Sequence, residues 1–371
     1  MLIAPVTRVT VCLAVAGACL VVTLTGCVGS TLTSSTPRYR PGSEETIARL
    51  TRRIDPLVPL FPNVNAMAPE AFVDSLVERD ARVELFRLES LLRLYRHKFS
   101  NLSDHLRQVK NVEDGLGAYL YAVDSLNFAK DKFKKEDEDQ PPSRARQTEQ
   151  ERTLEGLEKK KKAAHDVLAK RLAQSTLGSD LSPLRSQVRS RFNGWGFAKD
   201  QPYVKRELQQ MLTKVRNTRY DFNRLEDGIH EFRRQLRWFP ITIDALDGLV
   251  LVRDDPAGKC PVPALEGLAG SAAARNRYSN PALHFPAAHP CTISRCLLWQ
   301  VVKTVRDIGH LKDEAQGNLA VDAALDFDDD EVATSNKATP EETTRAEAMR
   351  AELFRSRALE SLTSQLSACK P

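Results

Sequence analysis

Apolar and polar residues almost never alternate at period two in this sequence, so few strands are expected and sheet-based folds are set aside. Catalytic signatures are missing as well. There is no nucleophile turn of the G-x-S-x-G type, no phosphate-cradling glycine loop, no H-E-x-x-H pair and no C-x-x-C pair. The histidines at 97, 105, 165, 230, 284, 289 and 310 are scattered without ligand spacing, so no catalytic residue and no metal site is assigned. The acidic run 326–331 lacks the alternating ligands and central glycine of a calcium loop and reads as a solvated segment. Beyond residue 26 no long apolar run occurs, so the rest of the chain is not expected to span a membrane. The formal charge of +5 over 371 residues is too mild for bulk attraction to a phosphate backbone, so no nucleic-acid partner is expected.

The N-terminus is the most explicit part of the chain. One positive charge, Arg8, precedes an apolar run over 9–24 with no acidic residue before it, the layout of an export signal. The run ends in Leu24-Thr25-Gly26-Cys27, which resembles the lipobox of bacterial lipoproteins. That resemblance implies cleavage before Cys27 and a covalent diacylglycerol and fatty acid on Cys27, with no other cofactor expected. Several acyl chains make such attachment effectively permanent, since each buried methylene contributes ~0.8 kcal/mol. Residues 1–26 are then a signal peptide, and 27–45, rich in Gly, Ser, Thr and Pro, a flexible tether. Val28 is not the aspartate that retains such proteins at the inner membrane of enteric bacteria, which places the expected location at the periplasmic face of an outer membrane.

With Cys12 and Cys19 in the signal and Cys27 acylated, four cysteines remain: Cys260, Cys291, Cys296 and Cys369. An even number in an oxidising compartment points to two disulfides among three pairings. Read as neighbours on one helix, Cys291 and Cys296 face different directions and do not pair. The favoured pairing is Cys260 with Cys291 and Cys296 with Cys369.

The body reads as all-α, a bundle of long helices. Apolar stripes at helical spacing run through 79–126 (Val83, Phe86, Leu88, Leu91, Leu92, Leu94, Tyr95, Phe99) and 203–239 (Leu208, Met211, Leu212, Val215, Phe222, Leu225, Ile229, Phe232, Leu236). Residues 144–175 are charged and helical in pattern, and 130–140 a solvated helix end before Pro141-Pro142. The expected organisation is a helical bundle over 46–240, a helical and loop region with disulfides over 241–320, an acidic linker at 321–338 and a C-terminal helix within 339–371. Residues 254–290, rich in Pro, Gly, Ala, Asn and His, read as the disulfide-held loop, 296–311 as a further helix and 193–196 as a turn. A short similarity between Asn111-Val112-Glu113-Asp114-Gly115-Leu116 and Arg224-Leu225-Glu226-Asp227-Gly228-Ile229 raises a possible pseudo-duplication of a helical hairpin.

The chemistry concentrates at 229–239. At ~100° per residue, His230, Arg233, Arg234 and Arg237 share roughly a 100° arc beside a seam of Ile229, Phe232, Leu236 and Phe239. Between 181 and 238 there are thirteen Lys or Arg against six Asp or Glu, and guanidinium forks match phosphate oxygens bidentately. The pattern His230-x-x-Arg233-Arg234-x-Leu236-Arg237-Trp238 resembles the basic helix of the conserved histidine alpha-helical (CHAD) domain. That resemblance, over about 75–315 and specific at 229–239, implies a pseudo-duplicated bundle whose His, Arg and Lys residues bind inorganic polyphosphate. The first half of the chain carries no matching histidine and no arginine cluster. Structural arginines pairing with Glu226, Asp227 and Glu231 are the competing reading of the same residues. Two roles follow: a structural or protein-interaction role toward another envelope protein, ranked first, and a phosphate-rich polyanion held on His230, Arg233, Arg234 and Arg237.

Overall fold

The computed structural model describes residues 44–61, 68–139, 141–254, 260, 262–281, 283, 284, 287, 289–325 and 336–369. The lipobox, Cys27, most of the tether and residues 326–335 of the acidic segment lie outside them. The fold is an all-α helical bundle. Among the described residues no helix is long and apolar enough to cross a membrane.

Three short helices, α1 (Glu44–Ile54), α2 (Pro69–Glu78) and α3 (Ala81–Tyr95), open the body, and Asp80 in a left-handed conformation reverses the chain between α2 and α3. The helical pattern over 79–126 is divided between two helices, because 96–101 interrupts it before α4 (Leu102–Asp139). At 38 residues α4 is roughly 57 Å long. It stays helical through the charged stretch to Asp139, as a solvated helix end requires. Pro141-Pro142 ends it, and Ser143 starts α5 (Arg144–Gln174) by accepting a hydrogen bond from the Arg146 amide at 3.3 Å. The far end of this hairpin packs a small separate cluster, Leu126, Ala129 and Leu157 with Val321.

Helix α6 (Leu177–Arg191) leads through the turn at Gly194 (φ +73°) into α7 (Phe197–Asn217). A π-helical turn, Leu225–His230, then feeds α8 (Glu231–Ala245). The stripe over 203–239 is thus split at 218–224. Pro240 does not interrupt α8, which continues to Ala245. Helix α8 is the inner element of the bundle, packed by α3, α7 and α9 (Arg295–Leu325), with Phe232, Leu236 and Phe239 buried.

The one sheet among the described residues is a parallel pair, β1 (Val250–Arg253) with β2 (Cys291–Ser294), in register Val250 to Cys291 through Arg253 to Ser294. It clamps both ends of the 254–290 loop. The favoured cysteine pairing is corrected: Cys260 is bonded to Cys296, and Cys291 and Cys369 are unbonded. The reason lies in local structure. Cys291 sits on a strand and Cys296 in the first turn of α9, so the five-residue spacing is not measured along one helix. The C-terminal helix is likewise two, α10 (Pro340–Arg355) and α11 (Ala358–Ala368), separated at Arg357 in a left-handed conformation. Thr339 and Glu342 close a reciprocal capping box on α10. Both ends of the presumed acidic linker are ordered. Residues 321–325 continue α9, and 336–338 are strapped to 223–225 by Leu225 N–H to Asn336 O and Ala338 N–H to Asn223 O, each 2.8 Å.

The two similar hexapeptides take different conformations. Gly115 lies inside α4, whereas Gly228 lies in the π-helical turn, where a Cβ would stand 1.8 Å from the Asp221 carbonyl. They do not support a repeated hairpin.

Candidate functional site

The basic stripe of α8 divides into an outer and an inner half. On the outer half, Nδ1 of His230 lies 2.6 Å from Glu226 Oε2, and that bond is the main reason the Glu226 carboxyl sits below its ordinary range. Arg234, exposed, forms an ion pair with Glu231 one turn earlier. Each is thus held by a carboxylate one turn earlier on its own helix.

Arg233 and Arg237 turn inward, toward α3, α4 and α9. Neither has a carboxylate within ion-pairing distance among the described residues. Arg233 reaches across α9, its Nε donating to the Val305 carbonyl at 3.4 Å. Arg237 stacks its guanidinium on Phe86 of α3 at 4.7 Å and on Trp238 at 5.5 Å. Its Nε is buried and bonded to nothing. Burial is the main cause lowering the pKa of both, and each also feels the other or Arg82 as a neighbouring positive charge. For Arg237 the drop is to about 10, which leaves the guanidinium charged at neutral pH.

Two further cations lie near the inward arginines. Arg82 of α3 bonds Glu113 of α4 at 2.8 Å and stacks on Phe86 at 5.1 Å. Lys312 of α9, buried, lies 3.5 Å from the exposed Asp313 carboxylate, and burial lowers its pKa. Glycines make this convergence possible. A Cβ on Gly309 would meet Arg233 Nε at 2.8 Å, and one on Gly117 would meet Arg82 Nη2 at 2.7 Å. Each guanidinium therefore lies directly on a helix backbone that any larger residue would push it from. Carboxylates are present too. Glu113 is committed to Arg82, Asp313 faces Lys312 and Arg233, and like-charge contact with Asp313 adds to burial in raising Asp124. Among the described residues, neither inward arginine has a carboxylate within ion-pairing distance.

Arg82, Lys312, Gly117 and Gly309 escaped the sequence reading. Glycine within a helix costs about 1 kcal/mol relative to alanine, so glycines inside long helical patterns were the available signal of close approach. Among the described residues no group of His, Cys, Asp and Glu is arranged to hold a metal ion. No protein-family model, curated protein or solved structure matches this chain.

Proposed function

We propose that this chain is a lipid-anchored anion-binding protein of the bacterial envelope, which receives phosphate groups of a polyanion such as polyphosphate on Arg233 and Arg237, backed by Arg82. The observation that carries the reading is the Arg237 Nε–H, buried with no acceptor to satisfy it, near Arg233, whose charge meets a backbone carbonyl and no carboxylate within ion-pairing distance among the described residues. Buried donors without partners are rare, and a charged one costs still more to leave unpaired. An oxyanion entering between α3 and α8 supplies both the missing acceptor and the missing charge. His230 and Arg234, already paired with Glu226 and Glu231, contribute little. The anchor is the acylated Cys27, which keeps the bundle at the periplasmic face of an outer membrane.

A docking role toward another envelope protein is the second reading, supported by the stacking of Arg237 on Phe86 and Trp238, which suits a structural pin as well as a ligand group. Against it, the large apolar side chains well exposed among the described residues are few: Val58, Tyr121, Val167 and Leu283. The test is a titration of the full chain in detergent with polyphosphate at low and high salt, beside Arg237→Gln and with folding checked by circular dichroism. Salt-sensitive binding weakened at least tenfold in the variant supports the anion reading. Absence of binding to the well-folded wild type removes it and leaves the docking role.

A further inference from the structure

Three elements meet at the two unbonded cysteines. Cys291, 2% exposed, opens β2, and Cys369, partly exposed, follows the last turn of α11, which packs on β2 and α7. The two thiols lie close enough to influence each other's ionisation, with the Thr292 amide beside them, and Cys369 Sγ–H donates to the Gln365 carbonyl at 3.4 Å. The contact is held from both sides. Ser294 N–H donates to Gln365 Oε1 at 2.9 Å, and Lys205 Nζ of α7 donates to the Cys369 carbonyl at 3.0 Å and the Ser367 carbonyl at 2.8 Å. Gln201 Nε2 approaches Cys291 Sγ at 3.8 Å from the opposite side.

We propose that Cys369 and Cys291 are a thiol pair that closes to a disulfide by exchange with a disulfide oxidant, Cys369 attacking first and Cys291 resolving. Position separates the roles, since Cys369 is the thiol an oxidant reaches and Cys291 lies behind it. Their environments agree. Contact with Cys291, the Thr292 amide and the Lys205 charge favour the Cys369 thiolate, while the same contact and burial push Cys291 up. In the first step the Cys369 thiolate attacks one sulfur of R–S–S–R. That bond breaks, RS⁻ leaves with the electron pair, and a mixed disulfide forms on Cys369. In the second step Cys291 loses its proton to the released thiolate and attacks Cys369 Sγ, expelling the second RS⁻, which takes its proton from solvent. Two protein thiols have given up two electrons and two protons, and the oxidant has become two RSH. The product ties the end of α11 to β2, whose neighbour β1 leads into the loop already fastened by Cys260–Cys296. It encloses α9, α10 and α11 in one covalent loop.

The experiment treats the reduced full chain with glutathione disulfide and maps the linked peptides by mass spectrometry. Wild type is expected to give a Cys291–Cys369 crosslink beside Cys260–Cys296, without lasting glutathione on Cys369. Cys291→Ser is expected to trap one glutathione on Cys369, and Cys369→Ser to leave Cys291 unmodified over the same time. Oxidised wild type should melt roughly 5 °C above oxidised Cys369→Ser. Linkage of Cys291 to Cys260 or Cys296, or lasting glutathione on Cys369 in wild type, overturns the proposal. The wild-type map alone decides this, whether or not Cys291→Ser folds.

Discussion

Two clusters of buried charge in this bundle are built on opposite plans. At the Asp200 cluster, α1 is fastened to the body by a carboxylate whose partners are all supplied. Asp200 accepts from Thr46 Oγ1 at 2.7 Å, Tyr95 OH at 2.8 Å, Trp195 Nε1 at 3.1 Å and Arg49 Nη1 at 3.3 Å, while Arg49 also pairs with Glu45 at 3.0 Å. Arg49 Nε and Glu45 Oε1 make no hydrogen bond, so the contrast lies in charge pairing. On the inner face of α8, Arg233 and Arg237 are desolvated, with Asp313 and Glu113 near enough to favour their charge but, among the described residues, no carboxylate within ion-pairing distance. A buried charge with all its partners holds a fold together. A buried charge without them costs stability and is retained where something else supplies the partner.

The sharpest way to break this comparison is to truncate one charge from each cluster. Asp200→Ala leaves Arg49, Tyr95 and Trp195 short of an acceptor and is expected to cost about 3–5 kcal/mol in a denaturant melt. Arg237→Met, of similar length and without the charge, is expected to change stability by less than about 1 kcal/mol or to raise it. It should still lose about 1.5–3 kcal/mol of polyphosphate affinity, the worth of a charge-assisted hydrogen bond. Equal destabilisation by the two substitutions would make Arg237 a structural pin and erase the distinction.

Smaller changes sharpen the comparison. Gly309→Ala brings a Cβ within 2.8 Å of the Arg233 Nε, so the side chain must shift while the helix is kept. The expected result in isothermal titration is a several-fold loss of polyphosphate affinity with an unchanged melt. At the Asp200 cluster, burial raises the Glu45 carboxyl above its ordinary value of 4.5 despite Arg49. Folding thus favours its protonated form, a contribution fully present below about pH 4.5 and lost as pH rises through the raised folded value. Glu45→Gln, which mimics that form, should therefore gain stability relative to wild type between pH 4 and pH 7, read from paired melts. Smallest of all, His230→Ala and Arg234→Ala should each change stability by less than about 0.5 kcal/mol and leave affinity unchanged, since each loses only a local pair.

Helix identity was legible because apolar residues recur at helical spacing, and Phe232, Leu236 and Phe239 are buried where the seam of α8 required. Helix ends were less legible. The breaks at Asp80 and Arg357 rest on left-handed backbone at residues with no turn-forming character beyond the aspartate. The run from 203 to 239 conceals a π-helical turn strapped by residues 336–338, a contact distant in sequence. The site was half legible for the same reason. A helical wheel groups His230 with Arg233, Arg234 and Arg237, but only the packing of α3, α4 and α9 decides which of them turn inward. The cysteine pairing depended on a strand, β2, too short to announce itself by alternation.

The measurement that bears most directly on the central claim is the thermal shift of the full chain with increasing polyphosphate, for wild type, Arg234→Ala and Arg237→Met. A ligand that binds the folded state alone raises the melting temperature as the logarithm of its concentration above Kd. The account predicts a salt-sensitive, dose-dependent rise for wild type and Arg234→Ala, and the same rise only at roughly tenfold or more higher polyphosphate for Arg237→Met. A rise of equal size in Arg237→Met at the same polyphosphate concentration, or no rise in the folded wild type, would contradict it.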